Sequence, residues 1–80
     1  MPNPLVQYTV VRVGAIRGGR FNGQPVYEVR HPLVGDVGTV VEVYHSPELA
    51  YEVECSDSST GETIWLSAMF PDEVEALPAA

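Results

Sequence analysis

Apolar and polar residues alternate along the chain in short runs divided by turn formers, and no stretch sustains the three-and-four spacing of a packed helix. The cleanest run is Leu49-Ala50-Tyr51-Glu52-Val53-Glu54-Cys55. Read as a strand, it turns Glu52 and Glu54 to solvent and Tyr51, Val53 and Cys55 inward. Upstream, residues 37–44 are dense in Val and Thr, whose branched side chains favour pleated backbone. Gly35 and Gly38 mark a tight bend at its start, and Asp36 is suited to cap that turn. Placing Glu42 in solvent puts Thr39, Val41 and Val43 on the inward face. A polar turn at 56–61 leads to a further strand over 62–67, and the three strands form a meander with short connections. A first strand is expected over residues 5–13. A single turn near 71–73 precedes a short closing strand over 74–77, which Pro78 stops.

Between the first strand and the meander lies a long excursion, residues 14–34. Arg17-Gly18-Gly19-Arg20-Phe21-Asn22-Gly23-Gln24-Pro25 is rich in turn formers. Val26-Tyr27-Glu28-Val29-Arg30 then alternates as a short strand, ended by His31-Pro32. The expected architecture is all-β: a single-domain barrel of about five antiparallel strands, carrying an extra hairpin or long loop between strands 1 and 2. Residues 1–4 and 78–80 are read as tails of one domain spanning 1–80.

Charge changes the picture of possible partners. The chain has a formal net charge of −7, and its four basic side chains are Arg12, Arg17, Arg20 and Arg30. Every charged residue from Asp36 onward is acidic. Phosphate backbones require basic clusters, so nucleic acid is disfavoured; a plainer use of the acidity is solubility. With Cys55 the single cysteine, no internal disulfide is available, and its strand context suits a small buried hydrophobe. No apolar run approaches the roughly 20 residues needed to cross a bilayer. Met1-Pro2-Asn3-Pro4 lacks the features of a signal peptide. A cytoplasmic location is the expectation.

Catalytic and metal signatures are lacking. His31, His45, Cys55 and Asp57 do not fall at metal-ligand spacing. Ser46, Ser58 and Ser59 have no nucleophile context, and the glycines of 14–23 are not followed by a phosphate-binding lysine. No enzyme activity, cofactor or metal is therefore expected. A protein partner or self-association into a homodimer is the preferred role, since loops on rigid scaffolds carry function disproportionately. The residues singled out are Arg17, Arg20, Phe21, Tyr27 and Arg30 of the excursion, with Trp65 of the fourth strand. If Ile64 and Leu66 are core, alternation puts Trp65 on the outer face as an interface residue; alternatively it covers the gap left by the loop.

The string Gly35-Asp36-Val37-Gly38-Thr39-Val40-Val41-Glu42-Val43-Tyr44, followed by Ala50-Tyr51-Glu52-Val53-Glu54, resembles a family of small bacterial proteins catalogued as a domain of unknown function. The resemblance extends to Val10-Val11 and to 64–77, and departs over 14–34, which reads as a lineage-specific addition. It implies an SH3-like barrel. It also implies an accessory or defence role, since its members are similar to proteins encoded among mobile gene cassettes and near toxin–antitoxin-like genes. The same turn and strand look like the KOW element of ribosomal and transcription-factor barrels. That likeness implies a rival, nucleic-acid-binding use of Arg17, Arg20 and Arg30. A third reading, an enzyme or small-ligand binder, would be marked by a deep pocket between loop and barrel.

Overall fold

The computed structural model describes residues 4–78, so residues 1–3 and 79–80 of the expected tails lie outside the described range. Strands β1 (Val10–Val13), β2 (Val37–Tyr44), β3 (Ala50–Ser56), β4 (Thr63–Met69) and β5 (Val74–Ala76) form one antiparallel sheet in the order β4-β3-β2-β1-β5. The last strand returns to pair with the first, as the SH3-like reading requires. β1 and β2 are joined by the long loop 14–36, and its regular structure is confined to a 3₁₀ turn at Arg17–Gly19. The expected strand over 26–30 does not form. Its backbone is drawn to the edge of β4, where Val29 N–H and Arg30 N–H donate to the Ile64 carbonyl at 3.0 and 3.4 Å.

The first strand is shorter than its apolar content suggests. Tyr8 adopts φ 73°, a left-handed conformation that breaks the pleat. Its N–H reaches the Val40 carbonyl at 2.6 Å, and regular pairing starts at Val10.

The core consists of Val11, Val13, Val40, Tyr51, Val53, Cys55, Trp65 and Met69. Tyr51, Val53 and Cys55 face inward and Glu52 and Glu54 outward, as alternation dictates. In β2 the inward residue is Val40, fully buried, whereas Thr39 and Val41 are half-buried. The cause is a β-bulge: Val40 pairs with Val53 and Glu42 with Glu52, leaving Val41 unpaired. The extra residue resets the phase, so Glu42 stays exposed and Val43 packs against the core. Gln7 Nε2 donates to the displaced Val41 carbonyl at 2.9 Å.

β4 corrects a second phase. Cys55 pairs with Trp65 and Ser56 with Thr63, so Ile64 is the unpaired residue. Trp65 is thereby turned inward at 2% exposure, and Leu66 outward at 48%. Gly38 also differs from its expected role. It lies within β2, where a Cβ would come 2.6 Å from the Glu54 carbonyl oxygen. Close strand approach, rather than a bend, requires glycine there. Gly35, at φ 98°, is the turn glycine.

Candidate functional site

Two buried or half-buried carboxylates fasten the loop to the sheet. Glu73 sits in the turn before β5 with its side chain fully buried. It accepts hydrogen bonds from Arg20 Nε at 2.9 Å, Arg20 Nη2 at 2.6 Å, Arg17 N–H at 2.7 Å and Phe70 N–H at 3.0 Å. Burial by itself would raise its pKa, but the Arg20 guanidinium and the two backbone donors overcome that and hold it at about 2. Its own carbonyl accepts Gly14 N–H at 2.8 Å, tying the start of the loop to the same turn.

Asp36 closes the other end. Its carboxylate takes a two-pronged contact from Arg30 at 2.7 and 3.0 Å, Leu33 N–H at 2.9 Å and the indole N–H of Trp65 at 2.8 Å. Burial again opposes ionisation, and Arg30, Leu33 and Trp65 outweigh it, so the pKa falls below the ordinary aspartate value. The same burial, with the nearby Asp36 charge, pushes the Cys55 thiol up, away from the reactive thiolate.

Between these clamps the loop and β4 enclose an open cavity of about 350 Å³. Arg20, Phe21, Tyr27, Arg30 and Trp65 line it, together with Glu28, His31 and Leu66 among others. Phe21 is stacked on His31 with ring centroids 5.3 Å apart, and the Arg20 guanidinium lies 4.2 Å above the Phe21 ring. Tyr27, 86% exposed, stands at the rim. Five of the six singled-out residues thus meet at one place. Arg17 does not join them: it pairs with Asp72 at 3.0 Å and covers the Phe70 ring at 3.9 Å.

Each arginine is matched to a carboxylate: Arg12 with Glu75, Arg17 with Asp72, Arg20 with Glu73 and Arg30 with Asp36. Sequence reasoning read Asp36 as a turn cap alone and overlooked Glu73, Glu28 and His31. For Asp36, the nearby Arg30 was the available signal. Glu73 carried none, since only the turn at 71–73 distinguishes it from its exposed neighbours Asp72 and Glu75. Among the described residues, no group of three or more His, Cys, Asp or Glu is placed to hold a metal ion. Nor is any helix there long and apolar enough to cross a membrane.

These features define a small SH3-like barrel whose first long loop is clamped over the β4 edge around a cavity. The chain belongs to the family described as Domain of unknown function (DUF4926), whose model matches residues 24–76. Neither the comparison with curated proteins nor that with solved structures gave a match. The family match takes in 24–34, so this half of the excursion belongs to the family pattern rather than to an addition over 14–34. β1, Arg17, Arg20 and Phe21 precede the matched region.

Proposed function

We propose that this domain is a non-enzymatic protein-interaction module that receives a partner at the cavity between the loop and β4. The observation that carries the reading is the cavity with exposed apolar side chains in its lining: Tyr27 is 86% and Leu66 48% exposed. Clustered exposed apolar residues mark contact surfaces, and an aromatic anchor beside a pocket is the usual centre of one. An accessory role of the kind the family resemblance implies is compatible with such a module.

Nucleic-acid binding is the weaker reading. Phosphates would have to compete with Glu73 and Asp36 for Arg20 and Arg30, and then approach a chain of net charge −7. Small-ligand binding has one observation in its favour, since about 350 Å³ lies near the lower bound of ligand pockets.

Site-specific photo-crosslinking in the native host tests the proposal. A benzophenone side chain replacing Tyr27 should yield a discrete protein adduct, whereas the same group replacing Asp57, in the turn between β3 and β4, should not. Identical adducts from both positions, or none from position 27, would sink it.

A further inference from the structure

β4 is an edge strand, and its outer edge is closed at two points and open between them. The register fixes which backbone groups face outward. Val40 exchanges hydrogen bonds with Tyr8 and Thr9 on the β1 side. Its neighbour Thr39 therefore faces β3, where it pairs with Glu54. Val53 and Cys55 of β3 then face β4 and bond Ser67 and Trp65, which leaves Glu54–Leu66 and Glu52–Ala68 as the non-bonded pairs. Leu66 and Ala68 consequently point their N–H and C=O groups away from the sheet. The Ala68 carbonyl accepts Arg20 Nη2 at 2.9 Å, and the Ile64 carbonyl accepts Val29 N–H at 3.0 Å. Between them, the Leu66 N–H and C=O meet no hydrogen-bonding group among the described residues, and Leu66 borders the cavity.

We infer that Leu66 is the docking point for a short, extended, basic segment of a partner protein, which adds a strand to the β4 edge and sends a cationic side chain towards Glu28. This deepens, and rests on, the reading of the cavity face as an interaction surface. An exposed donor–acceptor pair in strand geometry is satisfied by extended backbone, the mode in which peptides extend sheet edges. The opening from residue 64 to 68 spans about 13 Å, enough for roughly three or four paired residues. Charge selects the occupant. Glu28 lines the cavity and takes part in none of the salt bridges, while the Arg20 and Arg30 charges are offset by Glu73 and Asp36. Glu52 and Glu54, cross-strand from Ala68 and Leu66, add negative charge to the neighbouring β3. A second copy would bring another −7 charge and an edge obstructed in the same two places.

The test is selection from a displayed random heptapeptide library on the intact chain, followed by synthesis of the enriched peptide. Enrichment of Lys- or Arg-containing, proline-free sequences is expected, with slowed hydrogen exchange at the Leu66 amide in the complex. N-methylation of the peptide residue facing Leu66 should weaken binding about tenfold. Glu28→Gln, which touches an exposed side chain, should weaken it by about threefold and flatten its salt dependence. Peptides that shift the Tyr27 and Phe21 resonances while leaving Leu66 exchange unchanged would overturn strand addition and leave the interaction surface standing. Enrichment of acidic or uncharged peptides would overturn the charge assignment. Protection of Leu66 that grows with protein concentration and without peptide would make a second copy the occupant. A library yielding no enrichment over a bare matrix would overturn the proposal, while the crosslink at position 27 still reports separately on the interaction surface.

Discussion

The sheet and the loop 14–36 are held by opposite means. The sheet closes over an apolar centre of Val11, Val13, Val40, Val53, Trp65 and Met69, each fully or almost fully buried. Every such side chain contributes on the order of 1.5–3 kcal/mol when removed from water. The loop has no comparable interior. Ile16 and Phe21 pack against the core part-buried, and its fixed points are polar: Arg17 N–H and Arg20 on Glu73, Arg30 on Asp36, and residues 29–30 on the β4 edge. Apolar packing is indifferent to pH and tolerant of small shifts. Charged hydrogen bonds are directional, so they can hold a cavity open that a hydrophobic contact would collapse. The difference teaches why the exposed surface of this loop can be apolar: its three arginines are each held by a carboxylate.

The sharpest way to break the comparison is in the sheet. Val40→Asp should abolish cooperative melting, because an unpaired charge in the core costs more than about 4 kcal/mol, most of the stability of a domain this small. Val41→Asp, at the bulge, should melt cooperatively with a loss of about 1 kcal/mol. Urea titrations followed by circular dichroism that placed both variants at the same midpoint would show the β2 bulge to be misplaced.

Next in size is the loop clamp. Glu73→Gln should cost about 3 kcal/mol, since it leaves Arg20 without its buried counter-charge. The pH dependence is set by the sign of the shift. Glu73 titrates at about 2 in the folded chain against an ordinary 4.5. Its stabilisation, about 3 kcal/mol, is therefore complete above pH 4.5 and is lost as pH falls from there towards 2. Wild-type melting temperature should drop across that window, and the Gln variant should drop less. Equal slopes would show that Glu73 is not the linked group.

Gly38→Ala should destabilise by about 2 kcal/mol, because the new methyl meets the Glu54 carbonyl and a Val53 methyl at 2.6 and 2.7 Å, where backbone must yield. Gly14→Ala, whose Cβ meets nothing within 4 Å, serves as its control in the same denaturation series. Smallest of all, Tyr27→Ala should change stability by less than about 0.5 kcal/mol while abolishing co-purification of the partner that the crosslink at position 27 identifies. A large loss of stability would mean that Tyr27 belongs to the scaffold.

Much of the fold was legible because its signals are local. The alternation in 49–55, the β-branched run in 37–44 and the Pro71 turn mark β3, β2 and the approach to β5 without reference to anything distant. Errors fell where one residue changes phase. The bulge at Val41 resets the phase within β2, so Val40 rather than Val41 lies in the core, and the register beside the bulge at Ile64 decides the open question of Trp65, which faces inward while Leu66 faces out. Period-two reasoning has no means of seeing an inserted residue. The strand expected over 26–30 failed for a related reason. Its alternation is real, yet its backbone donors are drawn to the Ile64 carbonyl rather than to a ladder of their own.

The site divides in the same way. That Arg20, Phe21, Tyr27, Arg30 and Trp65 matter together could be suspected from an aromatic- and arginine-bearing loop on a barrel. Their convergence depends on Glu73, fifty-three positions from Arg20, and on Asp36 reaching both Arg30 and Trp65. By itself the sequence determined the all-β class, the short connections, the acid-rich second half and the family. Only the tertiary structure decided which tryptophan face is buried, that every arginine is matched to a carboxylate, and where the β4 edge stays open. Strand propensity and turn chemistry act between near neighbours, whereas bulge phase, ion pairing and edge closure are settled by whichever distant groups the folded sheet brings within hydrogen-bond reach.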